Sequence, residues 1–395
     1  MKEFFEKVIT GIIKCCGFIT SIIILLIVVF LFTEGLGLFS QKTIEDGYVL
    51  AVNRQNPVDE LNAAQIKQIF DEDITDWKDV GGQSGKIKIF RFEDLPNMFS
   101  ESQLGKDYEN AGACINKVIG SDKNVIAFIP EDYAKTGNFE GKRLKDHKIS
   151  FGEVFGGTEW FPTSTPAPQF GFIPLILGTI WVTVFAILFA LPFGLSVAIY
   201  MSEVASPKIR NMLKPAIELL NGIPSVVYGF FGLIVVVPLL QNGLGLPVGE
   251  SGLAGAIVLA IMALPTIITV SEDAMMNCPR AQREASLALG ASKWQTIYKV
   301  VMPYSMSGIT SGVVLGIGRA FGETMAVLMV TGNAAVIPTS LTEPLRTIPA
   351  TIAAELGEAP AGGPHYQSLF LLGVVLFIIT LLINSSVEYI SSKRK

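Results

Sequence analysis

The sequence predicts a six-span α-helical membrane protein carrying one inserted hydrophilic α/β domain, and three observations lead there. Half of the 395 residues are apolar and only 16% are charged, well below the quarter or so that a water-exposed surface requires. The charges are segregated: residues 41–165 hold 36 of the 65, with a net charge of −6, and the rest of the chain holds 29. Six apolar runs are each near the roughly 20 residues that cross a hydrocarbon core at about 1.5 Å per residue. This pattern excludes a soluble enzyme, a disordered chain and a coiled coil. The net charge of −5 gives no footprint for nucleic acid.

The spans are expected at 12–33, 170–202, 215–240, 252–271, 304–331 and 368–390. The first has a basic start like a secretory leader, but its apolar part is too long, and Glu34-Gly35-Leu36-Gly37 follows in place of a small-residue cleavage site. It is expected to remain as an anchor, giving a tail and anchor over 1–40, a module over 41–165 and a five-helix core over 166–395. With the N-terminus inside, thirteen basic residues fall in cytoplasmic pieces: Lys2, Lys7, Lys14, Lys208, Arg210, Lys214, Arg280, Arg283, Lys293, Lys299, Lys393, Arg394 and Lys395. The short outside loops hold Arg346 alone. That bias sets both termini in the cytoplasm and the module outside, since long domains cross regardless of charge. Cys15 and Cys16 have a spacing suited to juxtamembrane acylation. His147 and His365 are far apart in sequence, so neither a metal nor a cofactor is expected.

Within the module, Tyr48 to Val52, Lys86 to Phe90 and Val125 to Ile129 read as strands, Asn62 to Phe70 as a helix and Gly81-Gly82 as a turn. In the third span Gly222-Ile223-Pro224 interrupts the helix and exposes Asn221, Ser225 and Tyr228 as candidate path-lining groups, or else makes only a packed kink. The polar loop 271–303 offers a helix after Pro279, a glycine break at Gly290 and a second amphipathic piece from Trp294 to Met302. Such a hairpin suits docking into a partner's groove, or is simply solvated.

Span five places Arg319 near its midpoint, where a charge is costly and needs a partner. Glu323, four residues on, shares its helical face. Either the two form a self-neutralising packed pair, or Arg319 offers its donor fork to an anion in transit and Glu323 holds it otherwise. Gly308, Gly312, Gly316, Gly318 and Gly322 include a four-residue rhythm that admits another helix closely.

Glu284-Ala285-Ser286, Gly290 and Val300-x-Met302-Pro303 resemble the EAA loop of ABC-importer permeases, with Ser286, Val300 and Met302 as conservative departures. Gly318-Arg319-Ala320-Phe321-Gly322-Glu323 and the residues to Asn333 are similar to the fifth-span signature of phosphate ABC-transporter permeases of the PstC type. So are Phe170 to Thr179, Tyr200 to Glu203 and Glu218 to Gly232. The resemblance implies an ABC-importer permease fold and inward phosphate transport, with Arg319 and Glu323 in the path. It also implies coupling to a cytoplasmic ATP-binding subunit through Glu284, Ala285, Ser286 and Gly290. A second homologous permease, an extracytoplasmic phosphate-binding protein and membrane lipid would be the other partners. No G-x-x-x-x-G-K-[ST] phosphate loop is present, so ATP hydrolysis is expected in a partner and this chain is not itself an enzyme. A permease for sulfate, molybdate or tungstate, and a membrane-anchored ligand sensor, are the alternatives.

The module resembles one lobe of a periplasmic phosphate-binding protein through Val52 to Phe70, Ile74 to Gly82 and Val125 to Pro130. Where that family carries its anion loop, this chain has Arg91-Phe92-Glu93-Asp94-Leu95-Pro96, with two carboxylates and no backbone-amide nest. The module is therefore expected to act as a docking or gating platform.

Overall fold

The structure, a computed structural model, describes residues 2–135 and 139–392, without the side chains of 2–4, 7–8 and 387–392. Of the basic residues used for orientation, Lys393, Arg394 and Lys395 and the side chains of Lys2 and Lys7 lie outside what is described. The chain forms two compact units: Met1–Gly35 with Ile173–Lys395, and Leu36–Phe172.

Among the described residues, six helices are long and apolar enough to cross a membrane: Ile9–Ser40, Ile173–Val204, Ser225–Leu244, Gly252–Met276, Lys293–Phe321 and Pro364–Ser386. The fourth is the most buried, and it packs against the second and the fifth. Its contact with the fifth explains the glycine rhythm. A Cβ on Gly308 would collide with that of Ala274, one on Gly312 would lie 3.1 Å from Val270 Cβ, and one on Gly316 2.9 Å from Ile267 Cγ1. Gly318 and Gly322 do not belong to this seam, because a Cβ on either meets no other helix. The backbones thus approach within a distance that only glycine permits.

The spans differ from their expected bounds at several ends, the third and the fifth most, and the fifth already begins at Lys293. The third begins at Ser225, and the residues before it form a separate amphipathic helix, Pro207–Gly222, none of which is buried. Ala216, Ile217, Leu219 and Leu220 carry apolar residues back across the join, but Pro224 has no N–H to continue the ladder. The Leu220 carbonyl, which Pro224 deprives of its helical donor, accepts the Ile223 N–H at 3.4 Å and the Tyr228 hydroxyl at 2.8 Å. The fifth span ends at Phe321, and after Gly322 to Thr324 a short helix, Met325–Val330, follows.

In the loop after span five, Thr347 caps the helix Ile348–Glu355 by accepting from the Ala350 N–H. Arg346 is not the exposed cation that its loop position suggests. Its Nη1 lies 2.6 Å from Glu355 Oε1, and His365 Nε2 is 2.9 Å from Oε2 of the same carboxylate.

The second unit holds a four-stranded sheet of β1 (Tyr48–Asn53), β2 (Lys88–Arg91), β3 (Val125–Pro130) and β4 (Gly141–Arg143) in the order β2-β3-β1-β4. β1 pairs antiparallel with β3 (Leu50 opposite Phe128) and with β4, and β2 runs parallel to β3. Alternate residues of β1 enter different cores. Val49 and Ala51 pack with Ile115 and Ile119 of the helix Ala111–Ser121. Leu50 and Val52 pack with Ile66 and Ile69 of the helix Ala63–Phe70, which a reciprocal Asn62/Gln65 cap opens.

Candidate functional site

The geometry around Arg319 separates two side chains that the sequence pairs. Arg319 lies in the last turn of Met302–Phe321, where the free carbonyls of a helix end favour a cation. Its Nη1 donates to Asn221 Oδ1 at 2.7 Å and reaches Thr266 Oγ1 at 3.5 Å. Asn221 is at the end of the amphipathic helix and Thr266 follows Pro265 in span four, so three elements converge on one guanidinium. Thr266 was not legible as a site residue. A lone threonine in an apolar span ordinarily bonds its own helix, and nothing in the sequence marks this one.

Glu323 makes no ion pair with Arg319. The expectation assumed a continuous helix, in which positions four apart meet. The break at Gly322 to Thr324 turns Glu323 aside, and its Oε1 accepts from the Ala326 N–H at 3.2 Å. It satisfies one of the free N–H groups that open Met325–Val330. Gly322, with Thr324 two residues on, was the available sequence signal for that break, although it is Glu323 and not Thr324 that caps the next helix.

Of the other candidate path residues, Ser225 is half-buried at the start of span three, and Tyr228 is buried with its hydroxyl committed to Leu220. Asn221, Thr266 and Arg319 come together; Glu323, Ser225 and Tyr228 occupy neighbouring turns without joining that cluster through a hydrogen bond.

The loop between spans four and five folds as two helical pieces about a glycine. Arg280–Ala288 opens at Pro279, Gly290 adopts φ 84°, and a Ser292/Gln295 reciprocal cap starts Lys293–Thr296, which runs on into span five. A side chain at φ 84° would be strained, so this turn needs glycine. Glu284 and Ala285 are exposed, whereas Ser286 Oγ lies 3.0 Å from Thr296 Oγ1 and ties the two pieces together. Leu289, Trp294 and Tyr298 are 90%, 68% and 72% exposed. Such large apolar groups on a polar loop mark a contact surface.

In the second unit, Asp94 Oδ2 accepts from the Arg91 N–H at 2.8 Å, and the Arg91 guanidinium donates to the Phe70 carbonyl at 3.2 Å. A carboxylate of the chain itself thus holds an amide in the segment where an anion loop would stand.

A six-span bundle with a guanidinium at a helix break and an apolar-tipped helical turn on one polar loop defines a multi-pass membrane transport subunit. Comparison with known proteins narrows this class. The family model described as "Binding-protein-dependent transport system inner membrane component" matches residues 190–395, and the chain belongs to that family. A "PBP superfamily domain" model matches residues 33–107. The "Probable ABC transporter permease protein YqgH" of Bacillus subtilis (strain 168) is 43% identical over 243 residues, 62% of this chain and 78% of that protein. The "Phosphate transport system permease protein PstC" of Mesorhizobium japonicum is 40% identical over 260 residues, 61% of this chain and 78% of that one. Among solved structures, one of the MetNI methionine ABC transporter is 18% identical with a TM-score of 0.45, covering 56% of this chain and 96% of that one.

Proposed function

We propose that this chain is the membrane permease subunit of an ATP-driven importer that passes inorganic phosphate inward, with Arg319 as a transient contact for the travelling anion. The observation that carries this reading is the state of Arg319. It is a half-buried cation whose hydrogen-bond partners among the described residues are the neutral oxygens of Asn221 and Thr266. A guanidinium held by neutral acceptors keeps its charge available to an oxyanion. An anion can then bind by displacing one amide oxygen, and it can leave again because the contact is single. The relatives named as phosphate transport permeases, 34–40% identical to this chain, support phosphate as the anion.

The positive-inside distribution supports cytoplasmic termini and an extracytoplasmic second unit. On that orientation Glu284, Ala285, Ser286 and Gly290, with exposed Leu289, Trp294 and Tyr298, face a separate ATP-binding subunit. A second homologous permease would complete the pathway, and a phosphate-binding protein would deliver the anion outside. The second unit serves there as a docking or gating platform; the Asp94–Arg91 contact argues against a phosphate site in its own anion-loop segment.

The test is phosphate uptake by vesicles reconstituted with the partner subunits. Arg319→Ala should abolish uptake while the complex still assembles. Wild-type uptake by that variant would remove Arg319 from the mechanism, and a wild-type complex that moves no phosphate would overturn the substrate.

A further inference from the structure

We infer that Arg283 is the transmission residue of this subunit, the side chain through which a displacement of the docking helix Arg280–Ala288 is passed to the ends of spans two and four. The inference rests on the reading that this loop docks an ATPase. None of the residues of Arg280–Ala288 is buried, so the helix is not anchored by an apolar face. It is held instead by polar groups, of which Arg283, among the described residues, is the one that reaches both spans two and four. Its Nη2 donates to the Met275 carbonyl, in the last turn of span four, at 2.7 Å. The same nitrogen lies 2.9 Å from Oε1 of Glu203, in the π-turn Tyr200–Val204 that ends span two. The two span ends are themselves joined, because the fully buried Met275 brings its sulfur 3.4 Å from Ser202 Oγ.

The character of the contact fits a link that holds its two elements together as they move. Arg283 and Glu203 side chains are only 20% and 9% exposed, so the charges are largely withdrawn from water. Yet Glu203 Oε1 is out of line for a hydrogen bond, and Arg283 Nε is buried without a hydrogen-bond partner. Separating a desolvated pair strands both charges, so the two elements carrying it stay together. Arg283 adjoins Glu284 and Ala285, so a push on those exposed positions acts directly on its backbone.

The experiment uses the complex copurified with its ATPase, with Cys15, Cys16, Cys114 and Cys278 replaced by serine. Spin labels are placed at positions 204 and 288, both exposed. With Arg283 present, the distance between the labels should not change when ATP and vanadate are added. In Arg283→Ala it should shift, and ATP consumed per phosphate imported should rise about tenfold, within the usual range of coupling between two sites. The exchange Glu203→Arg with Arg283→Glu rebuilds the ion pair but not the bond to the Met275 carbonyl, so it should recover only part of both values. If Arg283→Ala fails to assemble, Glu203→Gln carries the test, since it leaves the bond to the Met275 carbonyl intact. A fixed distance and unchanged stoichiometry in these variants would overturn the role of Arg283, as would a distance that already shifts in the parent. A chain that copurifies with no ATPase would overturn both this inference and the docking reading. A complex that hydrolyses ATP without moving phosphate would overturn only the substrate, because the distance measurement needs none.

Discussion

Replacing Asn221 by aspartate puts a carboxylate where a neutral oxygen now accepts from Arg319 at 2.7 Å. Two unit charges with centres about 4 Å apart attract by about 4 kcal/mol at an effective dielectric of about 20. Asn221 is exposed and Arg319 only half-buried, so solvent screening reduces the net gain to about 1 kcal/mol. An incoming anion must overcome that extra hold before it reaches the guanidinium. A factor of ten corresponds to about 1.4 kcal/mol, so the KM for phosphate uptake should rise about fivefold. The assay is radiolabelled phosphate uptake by vesicles containing the whole complex, with the phosphate concentration varied. Asn221→Ala, which removes the competing acceptor, serves as the control and should not raise KM. An Asn221→Asp protein with an unchanged or lower KM would refute the idea that the anion displaces this amide.

Gly312→Leu should force the fourth and fifth helices apart, costing about 1–3 kcal/mol as overpacking does, whereas Gly318→Ala, with nothing within 4 Å of a new Cβ, should cost little; thermal unfolding in detergent separates them. Gly290→Ala should cost about 1–2 kcal/mol for its left-handed backbone, and copurification with the ATP-binding subunit should weaken. His147 gives a pH dependence. Burial, the largest influence, works to lower its pKa, but the carboxylates of Glu60 and Glu153, 2.8 and 3.2 Å away, outweigh it and raise the pKa above its ordinary value. Its stabilising effect is therefore complete below the unfolded-state pKa of about 6.5 and is lost as pH rises through the higher folded value. Hydrogen exchange of the full chain, corrected for intrinsic rates, should show residues 147–153 losing protection over that window, and His147→Gln should flatten the change.

Hydropathy made the six-span architecture legible because lipid imposes a length and a composition together, and the unbroken apolar run of Tyr48 to Val52 marked a strand, which the structure buries on both faces. The third span starts later than expected because Ala216, Ile217, Leu219 and Leu220 extend the apolar pattern backwards, whereas Glu218 and Asn221 belong to a separate amphipathic helix that Pro224 cuts off. The Arg319–Glu323 pairing failed for a related reason. Helical spacing carries over only while the helix continues, and Gly322 ends it. The partners that Arg319 does have, Asn221 and Thr266, lie 98 and 53 residues away, and no local pattern encodes such a meeting. Arg346, the one basic residue of the short loops expected outside, takes its partner Glu355 from nine residues further along the same loop, with His365 on that carboxylate's other oxygen, a meeting that its loop position does not encode.

The glycine seam between the fourth and fifth helices limits how this subunit can alternate. With Gly308 and Gly312 set against Ala274 and Val270, neither helix can slide or roll against the other without a steric collision. The two travel as one body. The relative motion that opens first one side and then the other must therefore be taken up at joints that are not interlocked. The proline-started third helix and the short helix after Phe321 are not such a joint: a Cβ on Gly229 would fall 2.9 Å from Ala326 Cα, so these two also move together and the moving boundary lies outside both pairs.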